Sequence, residues 1–152
     1  MDPSVAEPSS GDPAAPTDPT DPTDPGPLLT AMPFAVAAGV DLLRAEATEV
    51  EATLAWSPER CTSGGVMHGA ALVTLADTVG AVCAFLNLPP GAGTSTIESK
   101  TNFFRAVRHG SVRAVARPIH VGRSTIGVQT EVRDDDAKLV ALTFQTQAVL
   151  RP

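Results

Sequence analysis

The sequence predicts a single α+β domain in which five or six antiparallel strands curl around one long helix. Two observations lead to this fold class. Residues 69–86 form a segment that is apolar on nearly every side, so as a helix it needs to be covered all round. The segments that follow alternate apolar and polar residues and are joined by short turns, which favours antiparallel pairing. A sheet curled around the helix satisfies both requirements.

Composition divides the chain of 152 residues into a tail and a domain. Residues 1–27 hold eight of the 14 prolines and six acidic residues but no Lys or Arg, and they include a Thr-Asp-Pro repeat. We expect residues 1–27 to be a disordered, solvated tail and residues 28–152 to fold. The folded part has 11 acidic and 11 basic residues. This balance argues against a nucleic-acid partner.

The sequence predicts a cytoplasmic protein without a membrane-spanning segment. The tail has neither the basic start nor the apolar core of a secretory signal. The most apolar run, residues 70–88, is interrupted by Thr74, Asp77, Thr78 and Asn87, which suits a buried helix better than a lipid bilayer. Cys61 and Cys83 lack metal-ligand spacing, and we interpret them as reduced thiols.

The elements before the long helix follow from local signals. Residues 29–38 predict a short helix with Pro33 near its first turn, and residues 40–50 and 51–56 predict two strands. Residues 57–67 predict a loop because they contain Pro58 and the Gly64-Gly65 pair. The helix itself is predicted over residues 69–86, ended by Asn87 and by the Pro-Pro-Gly run at residues 89–91.

Four strands are predicted after the helix, over residues 94–105, 111–120, 124–133 and 139–150. The third is the clearest because its apolar and polar residues alternate. Its inward face is predicted to carry Ile126, Val128, Thr130 and Val132. Three successive aspartates at residues 134–136 predict the hairpin turn into the last strand.

Asp77 is the residue that most needs explaining, because it places a carboxylate in an apolar helix. An ionised Asp away from water costs several kcal/mol unless it is paired or hydrogen-bonded. We therefore interpret Asp77 as a reactive group. The alternative is a structural carboxylate that is hydrogen-bonded by Thr74, Thr78 or a neighbouring loop.

Five short motifs follow one another along the chain: Gly65-Val66-Met67-His68-Gly69-Ala70, Leu75-Ala76-Asp77, Thr96-Ile97-Glu98, Asn102-Phe103-Phe104-Arg105 and Val121-Gly122-Arg123. In their order and spacing, residues 32–150 resemble the hotdog-fold acyl-CoA thioesterases, in the PaaI-like branch similar to the phenylacetate-pathway and 4-hydroxybenzoyl-CoA thioesterases. The resemblance implies a hotdog fold and hydrolysis of an acyl-CoA to a carboxylic acid and coenzyme A. It also implies a site shared across a dimer interface, with no metal or redox cofactor and with coenzyme A only as part of the substrate.

The start of the helix and Asp77 supply the two halves of a hydrolytic site. Backbone N–H groups of Gly69 and Ala70 lack intrahelical partners and lie at the positive end of the helix dipole, where they would stabilise an oxyanion. Asp77 would act as general base on water or as nucleophile. Eight residues of helix separate Gly69 from Asp77, which is roughly 12 Å. Two antiparallel copies would bring them together, so we predict an obligate homodimer, with further pairing into a homotetramer left open.

Three more residues match family positions near the reaction. His68 would orient the thioester or the loop, with a helix cap or a packing role as the alternative. Thr62, six residues before His68, stands where the family commonly carries Asn or Gln near the water. Thr96 matches a position where relatives place a hydroxyl, and the alternative is an ordinary strand threonine.

Candidate ligands for the coenzyme A phosphates are Arg105, Arg108 and the turn at Gly122 and Arg123, because guanidinium pairs well with phosphate. A solvated surface role is the alternative for each arginine. Phe103 and Phe104 are adjacent in a strand and therefore face opposite sides. We expect one of them in the core and the other in an acyl pocket or at the dimer interface.

Two other functions compete with hydrolysis. One is a non-catalytic hotdog module that binds acyl-CoA. The other is a hotdog dehydratase, which is disfavoured because Asp77 has no obvious histidine partner, although His68 leaves that hypothesis open. Short-chain, medium-chain and arylacetyl groups all remain compatible with the sequence.

Overall fold

A computed structural model describes residues 24–151. Six strands form one antiparallel sheet in the order β1-β2-β4-β5-β6-β3, and α3 lies against it in contact with every strand. The predicted fold class is confirmed. The helices are α1 (Gly26–Thr30), α2 (Pro33–Ala38) and α3 (Gly69–Phe85), and the strands are β1 (Val40–Glu46), β2 (Glu49–Ala55), β3 (Gly93–Phe103), β4 (Ser111–Val121), β5 (Thr125–Asp134) and β6 (Leu139–Leu150).

One hydrophobic core lies between α3 and the sheet. Leu75 and Val79 of α3 are fully buried there. The predicted inward face of β5 is also fully buried and is confirmed, namely Ile126, Val128, Thr130 and Val132. Among residues 24–151, none of the helices is long and apolar enough to cross a membrane.

The amino-terminal segment forms two short helices instead of the single helix predicted over residues 29–38. Pro33 occupies the first turn of α2, and the preceding Met32 leaves the helical conformation with φ −117° and ψ 78°. A proline disfavours the helical conformation for the residue before it, so the chain breaks at that point. The predicted tail lies outside the described residues up to residue 23, and α1 begins at Gly26.

The turn between the first two strands lies three residues earlier than predicted. Residues 47 and 48 form the turn, and β2 begins at Glu49. Val50 is fully buried, whereas Glu49 and Glu51 form ion pairs with Arg117 and Arg113 of β4. The register of β2 is fixed because the buried Val50 lies between two glutamates that pair with β4.

The chain does not cover α3 on every side, which differs from the sequence prediction. One stripe of α3 is incompletely covered, with Ala70 and Phe85 exposed and the stripe residues between them half-buried. We call this set the open stripe: Ala70, Thr74, Asp77, Ala81 and Phe85. The neighbouring strand β3 is a sheet edge that pairs only with β6 and is largely exposed.

The loop that leads into α3 is held by Arg60. Its Nε donates a hydrogen bond to the carbonyl oxygen of Ala38 at 2.7 Å, and its carbonyl oxygen accepts from the N–H of His68 at 2.8 Å. Gly39 has a φ of +81°, and a Cβ at this position would collide with the Arg60 guanidinium. Glycine at residue 39 therefore permits both the turn after α2 and the anchor of the loop.

We expect Gly39→Ala to destabilise the fold more than Gly91→Ala, as measured by urea unfolding. Both glycines have positive φ, so each alanine costs roughly 1–2 kcal/mol. Only Gly39 also meets a neighbouring side chain, since nothing lies near a Cβ at Gly91. Equal losses would show that the Arg60 anchor does not depend on Gly39.

Candidate active site

The start of α3 is capped by a histidine. His68 has extended backbone angles, and its Nδ1 accepts a hydrogen bond from the N–H of Ala70 at 2.9 Å. The neutral ring then carries its proton on Nε2. The helix cap, which was the alternative role for His68, is therefore present. It engages the Ala70 N–H, one of the two predicted oxyanion donors. Among residues 24–151, no main-chain carbonyl accepts a hydrogen bond from the Gly69 N–H.

Phe103 lies beside this helix start. A Cβ at Gly69 would lie 3.3 Å from the Cζ atom of Phe103, so the absence of a side chain at Gly69 leaves room for the ring. Phe103 and Phe104 are 51% and 53% exposed, respectively. The prediction that one of them packs in the core is therefore wrong.

Asp77 is half-buried on the open stripe, and side chains of the sheet hydrogen-bond to its carboxyl. The Nε2 group of Gln145 in β6 donates a hydrogen bond to Asp77 Oδ1, and the Thr96 hydroxyl of β3 also faces the carboxyl. Burial raises the pKa of Asp77, while the Gln145 amide and the Thr96 hydroxyl act to lower it. Burial is the largest of these effects, so the pKa lies above the usual value for aspartate.

The structure does not contain the alternative in which Thr74 or Thr78 hydrogen-bonds Asp77. Thr74 donates its hydroxyl to the carbonyl oxygen of Ala70 at 2.9 Å, and Thr78 donates to the carbonyl oxygen of Thr74 at 2.7 Å. Both hydroxyls are thus used within α3. The partner of Asp77 comes instead from a strand 68 residues further along the chain.

The residues around Asp77 form a polar layer: Gln145 and Gln147 of β6 with Thr94 and Thr96 of β3. Gln147 is 1% exposed, and its Nε2 donates to Thr96 Oγ1 at 2.9 Å. Thr94 Oγ1 donates to Gln147 Oε1 at 3.3 Å. Sequence reasoning missed both glutamines. The polarity along β6 gives no signal for them, because both glutamines are buried while Phe144, directly before Gln145, is 42% exposed.

The structure places the predicted catalytic residues in two groups. Thr96 lies beside Asp77. His68, Gly69 and Ala70 lie at the amino-terminal end of α3, where Gly69 is eight helical residues or roughly 12 Å from Asp77. Thr62 lies in the loop that leads into α3. A single chain therefore does not bring its own Asp77 to the helix start.

The predicted phosphate ligands are also divided. Arg105 and Arg108 follow β3 near the start of α3, where Arg108 Nη1 donates to the carbonyl oxygen of Gly64 at 2.8 Å. Gly122 and Arg123 lie in the turn between β4 and β5, close to the opposite end of β6. Most of the length of β6, roughly 30 Å of strand, separates the two groups.

Two hollows flank Asp77 along α3. One, of about 270 Å³, lies at the helix start beside Phe34, His68 and Thr74. The other, of about 200 Å³, is almost wholly apolar and lies at the helix end beside Met32, Ala81 and Phe85. A larger hollow of about 500 Å³ lies on the outer face of β2, β4 and β5 among Glu–Arg pairs, away from Asp77.

Comparisons with known proteins show the family of this chain. Residues 64–141 match the family model described as the thioesterase superfamily. The chain belongs to the thioesterase superfamily. A Vibrio cholerae protein whose name places it among the esterases is 38% identical over 87 residues, which cover 57% of this chain and 58% of that protein. The 1,4-dihydroxy-2-naphthoyl-CoA hydrolase of Escherichia coli is 31% identical over 101 residues, or 66% and 74% of the two chains.

The solved structure of the E. coli PaaI protein, from a phenylacetic acid degradation operon, has the same fold. It superposes with a TM-score of 0.75 at 22% identity and covers 82% of this chain and 89% of that one. The predicted resemblance and the predicted class of thioester hydrolase are confirmed at the level of the superfamily.

We expect His68→Ala to lower the free energy of unfolding by roughly 0.5–2 kcal/mol, because the Ala70 N–H loses its cap. Asn is among the strongest capping residues, so His68→Asn is expected to recover most of that loss. Thermal and urea unfolding of the three proteins measures the difference. Unchanged stability in His68→Ala would mean that the cap contributes nothing to the fold.

Proposed function

We propose that this protein hydrolyses an acyl-CoA thioester to a carboxylic acid and coenzyme A, with Asp77 as the reactive carboxylate. The observation that supports this most strongly is the placement of Asp77. It is the half-buried acid of the open stripe, held by the Gln145 amide, in a chain of the thioesterase superfamily. Burial raises the pKa of Asp77, which makes its carboxylate more basic than that of an exposed aspartate.

The ionised Asp77 acts as general base on a water or attacks the thioester carbonyl directly. The carbonyl oxygen gains negative charge in either case. We assign the Gly69 N–H as its donor, assisted by the His68 Nε2–H, since the Ala70 N–H is occupied by the cap. A donor of this kind typically contributes about 2.7–4 kcal/mol to the transition state. Thr96 and Thr62 are proposed to contact the water and the substrate.

A homodimer is proposed as the smallest active unit. The open stripe of α3 and the edge strand β3 leave apolar surface uncovered, including Ile97 at 62% and Phe85 at 51% exposed. If two open stripes pack antiparallel about a two-fold axis, Asp77 of one helix faces the Gly69 end of the other. Two composite sites result, and pairing of two such dimers into a tetramer is a further possibility for the same surfaces.

Substrate binding is proposed to use both chains as well. Arg105 and Arg108 from one subunit and the Gly122–Arg123 turn from the other would reach the phosphates of one coenzyme A, since they lie at opposite ends of β6. The acyl group is assigned to the apolar hollow beside Ala81, one helical turn beyond Asp77. That lining favours acyl groups without polar substituents.

Hydrolysis by these groups uses water, a carboxylate and backbone donors. We propose no cofactor other than the coenzyme A of the substrate. Cys61 and Cys83 are free thiols, which favours a reducing, cytoplasmic compartment. The dehydratase hypothesis is weaker, because the neighbours of Asp77 are an amide and a hydroxyl while His68 caps the helix.

We expect wild-type protein to release free thiol from at least one acyl-CoA in a panel of short, medium and aromatic acyl groups. Asp77→Asn should lower kcat by roughly 10²–10⁴-fold, the typical contribution of a positioned acid or base. Asp41→Asn is the matched control, because it makes the same chemical change at an exposed position in β1.

Release of thiol that survives in Asp77→Asn would contradict the assignment of Asp77. Binding of acyl-CoA without release across the whole panel would favour the alternative, a non-catalytic acyl-CoA-binding module, and would make Thr62 the first residue to exchange for Gln.

A further inference from the structure

Gly80 is an unusual residue to find inside α3. It is fully enclosed in the interior of a 17-residue helix, where glycine lowers helix stability relative to alanine. The space that a Cβ would need is occupied by the side-chain amide of Gln145. Glycine at this position therefore allows the amide to lie directly against the helix backbone, one turn beyond Asp77.

The Gln145 amide is buried in an orientation that leaves one of its atoms without a partner. The side chain is 3% exposed, and within residues 24–151 its Oε1 has no hydrogen-bond donor. Its Nε2 donates to Asp77. Exchanging the two ends of the amide would place Oε1 against the carboxylate oxygen, which is repulsive when Asp77 is ionised. The fold thus leaves a buried carbonyl unpaired while directing the N–H at the carboxylate, an arrangement typical of a functional site.

The other groups around Asp77 do not replace this contact. Among the described residues, Thr96 of β3 is the only other polar side chain that affects the pKa of the Asp77 carboxyl, and no charged side chain shifts it. Thr74 and Thr78 of α3 are engaged with main-chain carbonyls. Cys83, two turns further along α3, is buried with its pKa raised to about 11, so it is neutral in the working range.

We propose that Gln145 is a positioning residue for Asp77, and that Gly80 provides the space in which its amide is held. The amide fixes the carboxylate between β6 and β3 and stabilises its ionised form through the hydrogen bond. This inference rests on the proposed function of Asp77 and adds a residue pair to it.

The test compares three variants with the wild type. Gln145→Leu keeps the size of the side chain and removes the donor, and Gly80→Ala keeps the donor and removes its space. Thr143→Val is the matched control: Thr143 is fully buried on the same face of β6, and its hydroxyl pairs with Thr101 at 2.8 Å instead of with Asp77. Circular dichroism and unfolding curves establish that each variant is folded, and Gln145→Asn, whose amide is too short to reach, replaces Gln145→Leu if the latter does not fold.

Two measurements are made on each folded protein. The first is the titration of the Asp77 carboxyl carbon by NMR with 13C-labelled aspartate, assigned from the signal that disappears in Asp77→Asn. The second is the dependence of kcat/KM on pH. We expect Gln145→Leu and Gly80→Ala to move the Asp77 titration and the acidic limb of kcat/KM to higher pH, because the ionised form loses its donor. At neutral pH we expect kcat to fall roughly 10- to 100-fold with KM little changed, because a misplaced reactive group loses its alignment.

An unchanged titration in both variants would overturn the inference, and so would an equal shift in Thr143→Val. The carboxyl titration does not depend on turnover. If the wild type releases no thiol from any acyl-CoA, the proposed function fails on its own, and the titration still decides whether Gln145 controls Asp77.

Discussion

The hydrogen bond between Gln145 and Asp77 is the contact on which the account of this site depends. A carboxylate on a helix that packs against a sheet is costly unless something stabilises its charge. Here burial raises the pKa, and one amide and one hydroxyl from neighbouring strands oppose that effect. The carboxyl is therefore partly shielded from water, while two groups of the sheet favour its ionised form.

That contact requires features in three separate parts of the chain. Gly80 removes a side chain from α3 where the amide must lie. The pairing of β5 with β6 sets Gln145 on the inward face. The neighbouring edge strand places Thr96 opposite Gln147, just before a bulge at Ile97. Bulges often lie beside active sites, where they redirect side chains. The local chemistry of one aspartate thus depends on the register of the whole carboxyl-terminal half of the sheet.

The fold was predictable from the sequence because its signals are local. Alternation along β5 and the all-round apolar character of α3 depend on residues that are close in sequence, and both gave the right elements. The break before Pro33 was missed and the turn at residues 47 and 48 was misplaced, because propensity locates boundaries poorly. Asp77 was found because a single acid in an apolar helix is conspicuous.

The partners of Asp77 could not be predicted in the same way. Gln145 lies 68 residues away, and its contact depends on strand register and on the absence of a side chain at Gly80. A buried glutamine in a strand resembles an ordinary exposed one in sequence. The cap by His68 was weighed as an alternative, but its consequence, the loss of the Ala70 N–H as a free donor, appears only in the geometry.

The central claim is that Asp77 of one subunit works with Gly69 of its partner, and subunit mixing tests it most directly. Gly69→Pro removes the N–H but suits the first position of a helix, and the extended backbone of His68 accommodates a following proline. Gly69→Ala keeps the N–H and is the control for contact with Phe103. Asp77→Asn and Gly69→Pro chains are each expected to be inactive alone.

When the two chains are refolded together in equal amounts, half of the dimers are mixed, and each mixed dimer carries one intact composite site. The account predicts recovery of about one quarter of wild-type thiol release. Formation of mixed dimers without any recovery would contradict a shared site. It would mean that each site uses Asp77 and Gly69 of the same chain.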